Sequence, residues 1–331
     1  MSETMRAIRL TGPGGYDVLA VSDAPRPAAK PGWVRIQVKA FGVNESEVTS
    51  RQGGSSADFS YPRILGIEAA GIVDQVAPGS RFHVGDQVIT MMGGMGRSID
   101  GSYAQYTVVL EEHVIGFTST LPWETIGALP EMFQTAHGSL TTGVGLQRDQ
   151  TLLVHGGTST VGLSAITLAH DLGARVLATT RNPARADLLR QHGADEVIVD
   201  DGEPIAPRIR EEHPGGIDAA IELVGLDKLP DTLASLRRGG TCCFTGALNG
   251  AWTLPDFDPL QLIPTGVRLT SYTGQASELA ADAFAHQLDA IAAGRIIPPI
   301  AGTYHGLEQV AHAHQALEEG HALGKHVVVL D

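Results

Sequence analysis

The chain has 331 residues, a formal net charge of −14 and 43% hydrophobic content, which gives length and apolar surface for two globular domains with buried cores. The acidic balance, without clustered Lys or Arg, disfavours nucleic acid and anionic membrane surfaces as partners. The two cysteines, Cys242 and Cys243, are adjacent in an apolar run and fit neither a disulfide framework nor a metal-ligand spacing, so the chain reads as cytoplasmic.

The opening residues, MSETMRAIRL, carry no apolar stretch behind their charges, and no run of about 18 apolar residues follows; no leader and no membrane span is expected. The first third reads as strands and turns. WVRIQVKAFGV alternates at period two from Trp33, and AGIVDQV precedes a Pro-Gly turn and a second strand ending VGDQVI. From about Pro122 short apolar runs alternate with helical patterns, the signature of βαβ units. Strands are predicted at Thr151 to His155, Arg175 to Thr180, Glu196 to Val199, Asp218 to Leu223, Thr241 to Thr245 and Arg268 to Thr273, enough for a dinucleotide-binding sheet. Helical stretches at Ser277 to Ala293 and Leu307 to Glu318 and a last strand, HVVVL, exceed that sheet. They are assigned back to the first domain, which becomes discontinuous in sequence.

The stretch TLLVHGGTSTVGLSAITLAHDLG turns tightly from a buried strand into a helix. A dinucleotide diphosphate binds backbone N–H groups at a helix N-terminus, where side chains would block its approach. Gly156, Gly157 and Gly162 meet that need, with Ser159, Thr160 and Val161 between them, the two hydroxyls adding donors without bulk. The next strand ends ATTRNPARAD, with Thr180, Arg181 and Arg185 ahead of the first acid, Asp187. An NAD site places a carboxylate there for the ribose 2′-hydroxyl, whereas positive charge suits a 2′-phosphate. NADPH is therefore the expected cofactor.

In order along the chain, AFGVNESE, LGIEAAGIV, GDQVI, GSYAQY, LPEMFQTAHGSL, VHGGTSTVG, HGADEVI, LRRGGTCCFTG and LGKHVVVL resemble the zinc-free medium-chain dehydrogenase/reductase superfamily, in its NADPH:quinone oxidoreductase branch. The resemblance implies an α/β protein: a GroES-like β-rich catalytic domain over residues 1–123, a Rossmann NADPH-binding domain over 124–274, a second part of the catalytic domain over 275–331, and an active site in the cleft. It also implies a homodimer that joins Rossmann sheets through the last strand, at Arg268 to Thr273; a bare edge strand needs such cover. The zinc enzymes of the superfamily carry a Cys within the stretch GVNES and a His where Ile67 stands, and a four-Cys lobe that this chain lacks. With Asn44 and Ile67 at those places no zinc is expected. His312, His314, His321 and His326, near the end, are read as helix-surface and cap residues.

By the same resemblance Thr135 holds the nicotinamide carboxamide, Thr245, Gly246, Ala247 and Leu248 line its ribose and ring, Gly225 admits the adenosine half, and Lys325 belongs to the cofactor set. Asn44 lies beside the nicotinamide, its amide donating to a substrate carbonyl oxygen as charge develops. Family members often carry a Tyr shortly after the glycine that is Gly53 here. This chain continues GSSADFSYP, leaving either Tyr61 as a displaced acid or water as the proton source. Residues 91–103, rich in Gly and Met, are either an adaptable wall for a flat apolar substrate or a shortened remnant of the zinc lobe. The implied activity is hydride transfer from NADPH to a quinone or other small apolar α,β-unsaturated carbonyl compound. An enoyl or 2-alkenal reductase is the alternative, as is an NADPH-binding sensor that has lost turnover.

Overall fold

The computed structural model describes residues 3–55, 59–320 and 322–330. Strands β1 (Thr4–Leu10), β2 (Val21–Pro25), β3 (Trp33–Val43), β4 (Arg63–Ile64), β5 (Glu68–Val76), β6 (Gln87–Met91), β7 (Tyr106–Leu110) and β8 (Val114–Phe117) fill the first third, with helix α1 (Glu45–Arg51) after β3. Helices α2 (Trp123–Ile126) and α3 (Leu129–Gly138) lead to β9 (Thr151–His155), α4 (Thr160–Leu172), β10 (Arg175–Thr180), α5 (Ala186–Gln191) and β11 (Glu196–Val199). Next come α6 (Ala206–Glu212), β12 (Ile217–Glu222), α7 (Leu229–Ser235), β13 (Leu236–Phe244), α8 (Pro259–Leu262) and β14 (Arg268–Ser271). The chain closes with α9 (Ala281–Ala292), β15 (Ile300–His305), α10 (Val310–Glu319) and β16 (Lys325–Val329). No helix among the described residues is long and apolar enough to cross a bilayer.

Two compact units result, one of Met1–Gln134, Gln275–Ala292 and Pro298–Asp331, the other of Thr135–Gly274 and Ala293–Ile297. In the first, β15-β16-β3-β5-β6-β8 form one sheet, β7 also pairing with β3, and β2-β1-β4 form a small one. Apart from the parallel β15/β16 pair the ladders are antiparallel. The core gathers Ile36, Val38, Phe41, Val73, Val88, Tyr103 and Val328. The terminal strand enters this sheet because its alternation presents Val328 to that core while its backbone pairs with β3.

The second unit is a wholly parallel six-stranded sheet, order β11-β10-β9-β12-β13-β14. It is the doubly wound sheet that the alternating pattern predicts. Strand order reverses between β9 and β12, and ligands of such sheets bind beyond the carboxyl ends of the strands at that reversal. The strands β9, β10 and β11 coincide end to end with the predicted ones. β13 begins at Leu236 rather than Thr241, because Leu236 pairs with Ile217 across an irregular register that LRRGG does not signal.

Two histidines depart from expectation. His314 is fully buried, its Nε2 2.9 Å from the Tyr103 hydroxyl, because it lies four residues after the buried Val310 on the inner face of α10. His326 is buried in β16, its Nδ1 3.0 Å from the Tyr304 hydroxyl. His312 is exposed as expected, and His321 lies outside the described residues.

Candidate functional site

In the first unit a lysine and three carboxylates meet inside the protein. Lys325, at the start of β16, is 2% exposed and Glu68, at the start of β5, is 0% exposed. A buried charge is tolerable only when paired and hydrogen-bonded. The three ammonium hydrogens have three acceptors: Glu68 Oε1 at 3.0 Å, Glu131 Oε2 at 2.8 Å, and Asn44 Oδ1. Burial opposes the ammonium, but Glu131 and Glu68 together raise its pKa, so Lys325 stays charged. Glu68 Oε2 accepts the Glu131 backbone N–H at 2.8 Å. Gly42 makes room for this carboxylate, since a Cβ there would lie 2.3 Å from Glu68 Oε1.

Asn44 precedes α1 without capping it through its side chain. Because Lys325 donates to Oδ1, Nδ2 must face the carboxylates; it donates to Glu68 Oε1 at 2.9 Å and reaches Glu47 Oε1 at a long 3.4 Å. One amide hydrogen is thus firmly taken and the other weakly. Glu47 also accepts the Ile67 N–H at 2.9 Å and the Ser46 hydroxyl at 3.1 Å, and burial pushes its carboxyl up to about 7.

Tyr61 stands apart. It is 36% exposed, packed edge-on against Phe59, and its hydroxyl has no hydrogen bond among the described residues. The loop over residues 91–103 folds back on Ile64–Gly66 through the Gly101, Ser102 and Tyr103 amides and on Ile67 through the Met92 amide, with Met91 and Met95 in the core. These two methionines are packing residues, and Met92 is half-buried.

In the second unit the turn after β9 has the required conformation: Gly156 has φ +94°, open to glycine. A Cβ at Gly162 would lie 2.4 Å from the Gly156 carbonyl oxygen. Yet the glycine amides are not bare. Gly156 N–H donates to Thr179 Oγ1 at 3.0 Å, Gly157 N–H to the Thr179 carbonyl at 3.1 Å, and Gly162 N–H to Ser159 Oγ at 3.0 Å. Ser159 caps α4 in this way and donates its own hydrogen to the Gly156 carbonyl at 2.9 Å. The amides left without an acceptor among the described residues are those of Thr158, Thr160 and Val161. The glycines shape the turn, and their neighbours present the donors at the N-terminus of α4.

Beside this turn, Thr180 exchanges hydrogen bonds with the Asn182 backbone at 3.1 and 3.2 Å. Arg181 and Arg185 have no carboxylate or carbonyl partner for their guanidinium groups among the described residues, whereas Asp187 is paired with Arg190 at 3.0 Å. Gly225 is held through its amide by Glu222 Oε1 at 3.2 Å, and a Cβ there would strike Asn249. Leu248 lies against Gly156, and the Thr245 hydroxyl is 2.9 Å from Ser139 Oγ, which donates to the Thr135 carbonyl at 2.7 Å. Gly246 and Ala247 lie between them in sequence, Gly246 N–H donating to the Glu222 carbonyl at 3.3 Å.

The structure therefore brings Asn44 to Lys325, and Gly156 to Leu248 and the Val224–Gly225 turn, while Tyr61 joins neither group. Sequence reasoning missed Glu47, Glu68 and Glu131, and also Thr179, His155 and Glu222. For Glu68 and Glu222 the available signal was a charged residue within an apolar strand, as in GIEAAGIV and AAIELV; Glu47 and Glu131 lie in helices and Thr179 is uncharged, so that signal does not reach them. Among the described residues no group of three or more His, Cys, Asp or Glu has the arrangement of a metal site.

Residues 30–119 match the alcohol dehydrogenase GroES-like domain family and residues 160–289 the zinc-binding dehydrogenase family. The chain is similar to human quinone oxidoreductase, 29% identical over 336 residues that cover 98% of each chain. A mycobacterial quinone oxidoreductase structure is 31% identical, with a TM-score of 0.86, covering 98% of this chain and 99% of that one. A mycobacterial protein solved in complex with NADPH is 30% identical, with a TM-score of 0.82 and the same coverage. A parallel sheet built around a glycine turn, a GroES-like unit and this whole-chain similarity lead to one assignment: the chain belongs to the medium-chain dehydrogenase/reductase superfamily, among its quinone oxidoreductase-like members, and is an oxidoreductase.

Proposed function

We propose that this chain is an NADPH-dependent, zinc-independent reductase of small apolar quinones or other α,β-unsaturated carbonyl compounds. The observation that carries the cofactor reading is the presence, around one turn, of three unclaimed amides and two unclaimed guanidinium groups. The Thr158, Thr160 and Val161 amides suit a diphosphate, and Arg181 and Arg185 suit a 2′-phosphate. Gly156, Gly157, Ser159, Gly162 and Thr180 hold the turn. Gly225 and Thr245 to Leu248 border it, and Thr135 is tied to them through Ser139. Similarity to a protein solved with NADPH supports the same reading.

Bound there, NADPH would supply a hydride to the conjugated acceptor. In the first unit, Asn44 has one amide hydrogen, the one at 3.4 Å from Glu47, weakly enough held to be shared with a substrate oxygen. Lys325 fixes the amide in that orientation and is assigned to Asn44 rather than to the nucleotide. The proton comes from Tyr61 or from water. Ile67 offers no ligand atom and the Asn44 oxygen is held by Lys325, so the donor set does not suit zinc. We assign the first unit, Glu131 included, to catalysis and the second unit to the nucleotide, and propose a cytoplasmic homodimer joined at the outer edge of β14.

Steady-state kinetics of Arg185→Glu test this reading. The Michaelis constant for NADPH is expected to rise about tenfold or more while that for NADH changes little; equal changes contradict 2′-phosphate recognition. Assays of the unmodified chain with a quinone, a 2-alkenal and an enoyl thioester separate the acceptors, and NADPH binding without turnover on any of them contradicts the reductase.

A further inference from the structure

The nucleotide segments of the second unit converge on a buried pair that none of them contains. His155 ends β9 and Glu222 ends β12, and the two are register neighbours on adjacent parallel strands. His155 is 1% exposed and Glu222 0%. His155 Nδ1 lies 2.7 Å from Glu222 Oε2 and 2.9 Å from the Thr232 hydroxyl of α7, which donates to Glu222 Oε2 at 2.5 Å. With the Thr232 hydrogen given to Glu222, the contact between Nδ1 and the carboxylate needs its proton on the histidine. Nε2 is then a buried nitrogen with no hydrogen-bond partner, 3.7 Å from Asp200 Oδ2, in the turn after β11. A lone pair facing a carboxylate in a dry site is relieved by a second proton.

Glu222 carries more than the histidine. Its Oε1 accepts the amides of Val224 at 2.7 Å and Gly225 at 3.2 Å, and its backbone carbonyl accepts those of Thr245 at 3.0 Å and Gly246 at 3.3 Å. The His155 carbonyl accepts the Leu223 amide at 3.1 Å. Leu223 and Val224 in turn pack against Gly156. One carboxylate thus ties together the turn after β9, the Leu223–Gly225 turn and the segment after β13.

We propose that His155, held between Glu222 and Asp200, is a positioning residue for the nucleotide: in its protonated form it balances Glu222 and fixes these turns, so nucleotide affinity falls as the imidazole loses its proton. The inference rests on the nucleotide reading above. Burial opposes the imidazolium, but the hydrogen bond and charge of Glu222 and the charge of Asp200 prevail and raise its pKa. Cys242 of β13 faces the same carboxylate and stays a thiol, held so first by burial and then by Glu222. Loss of the proton leaves Glu222 uncompensated at zero exposure, and the turns it holds relax.

The test combines two titrations of the full chain over about pH 7 to 9.5, above the second ionisation of a phosphate at about 6. With ¹³C-labelled histidine, the Cε1 signal absent from His155→Gln reports the proton, and it is expected to titrate at higher pH than free histidine. The NADPH Kd is expected to weaken about tenfold across that same titration and to show no inflection in His155→Gln. The double variant His155→Gln/Glu222→Gln is neutral at both positions; it is expected to fold and to bind NADPH without the inflection, which covers failure of the single variant. A wild-type Kd that ignores the His155 titration, or an inflection that survives in either variant, overturns the proposal and leaves the nucleotide reading standing. If the wild type binds neither NADPH nor NADH while His155 titrates, the nucleotide reading falls and takes the proposal with it.

Discussion

The two units each bury a charge cluster, and the clusters differ in kind. In the first, a lysine spends all three hydrogens on Glu68, Glu131 and Asn44. In the second, a histidine uses one nitrogen on Glu222 and leaves the other unbonded beside Asp200. A saturated ammonium has one protonation state at any ordinary pH and works as a fixed brace. An imidazole with one free nitrogen has two accessible states. The lysine cluster therefore sets a geometry, that of Asn44, and on the proposal above the histidine cluster can change one, that of the turns Glu222 holds.

Breaking the brace gives the largest expected effect. Lys325→Met leaves Glu68 and Glu131 without their cation and should cost about 3–5 kcal/mol in denaturant unfolding, whereas Lys325→Met combined with Glu68→Met should recover part of that loss. Equal costs for the single and double variants would contradict a charge-paired brace. Glu47 sharpens the contrast, because it borders the lysine cluster through Asn44 and takes none of the three ammonium hydrogens. Burial raises its folded pKa from 4.5 to about 7, so the folded state binds more protons than the unfolded between those values. Stability is then fully present below about pH 4.5 and falls as pH rises to about 7, by on the order of 3 kcal/mol. Glu47→Gln keeps an acceptor for the Ile67 amide and should remove that component from the pH dependence of unfolding; an unchanged slope would show that Glu47 is ionised in the fold. The smallest effect is expected in the histidine cluster. Thr232→Val deletes one hydroxyl donor to Glu222 at nearly constant volume and should cost about 1–2 kcal/mol, read as a lower thermal midpoint; no change would mean that His155 alone satisfies that oxygen.

The sheet was legible because parallel strands of such a sheet are short apolar runs closed by turn residues, and the buried TLLVH and RVLATT and the half-buried edge strand EVIV are bounded in that way. The glycine turn was legible for a conformational reason, since only glycine suits Gly156 at φ +94°. Which amides it leaves bare was not, because Thr179 on the next strand claims those of Gly156 and Gly157. Neither charge cluster shows in local pattern. Lys325 and Glu68 are 257 residues apart, and His155 and Glu222 are 67 apart. His314 illustrates the same limit: its hydroxyl partner, Tyr103, lies 211 residues away. A charged or imidazole side chain in an apolar strand signals a buried partner, but only the folded register names it.

The most direct test of the account is NADPH titration of Thr160→Pro against Thr160→Ala. Thr160 opens α4 and Ser159 before it has φ −74° and ψ 162°, a conformation that accepts a following proline, so the variant keeps the helix and removes one unclaimed amide hydrogen. The account predicts an unchanged thermal midpoint and an NADPH affinity about tenfold weaker than in Thr160→Ala. Equal affinities in the two variants would contradict a diphosphate held at the start of this helix.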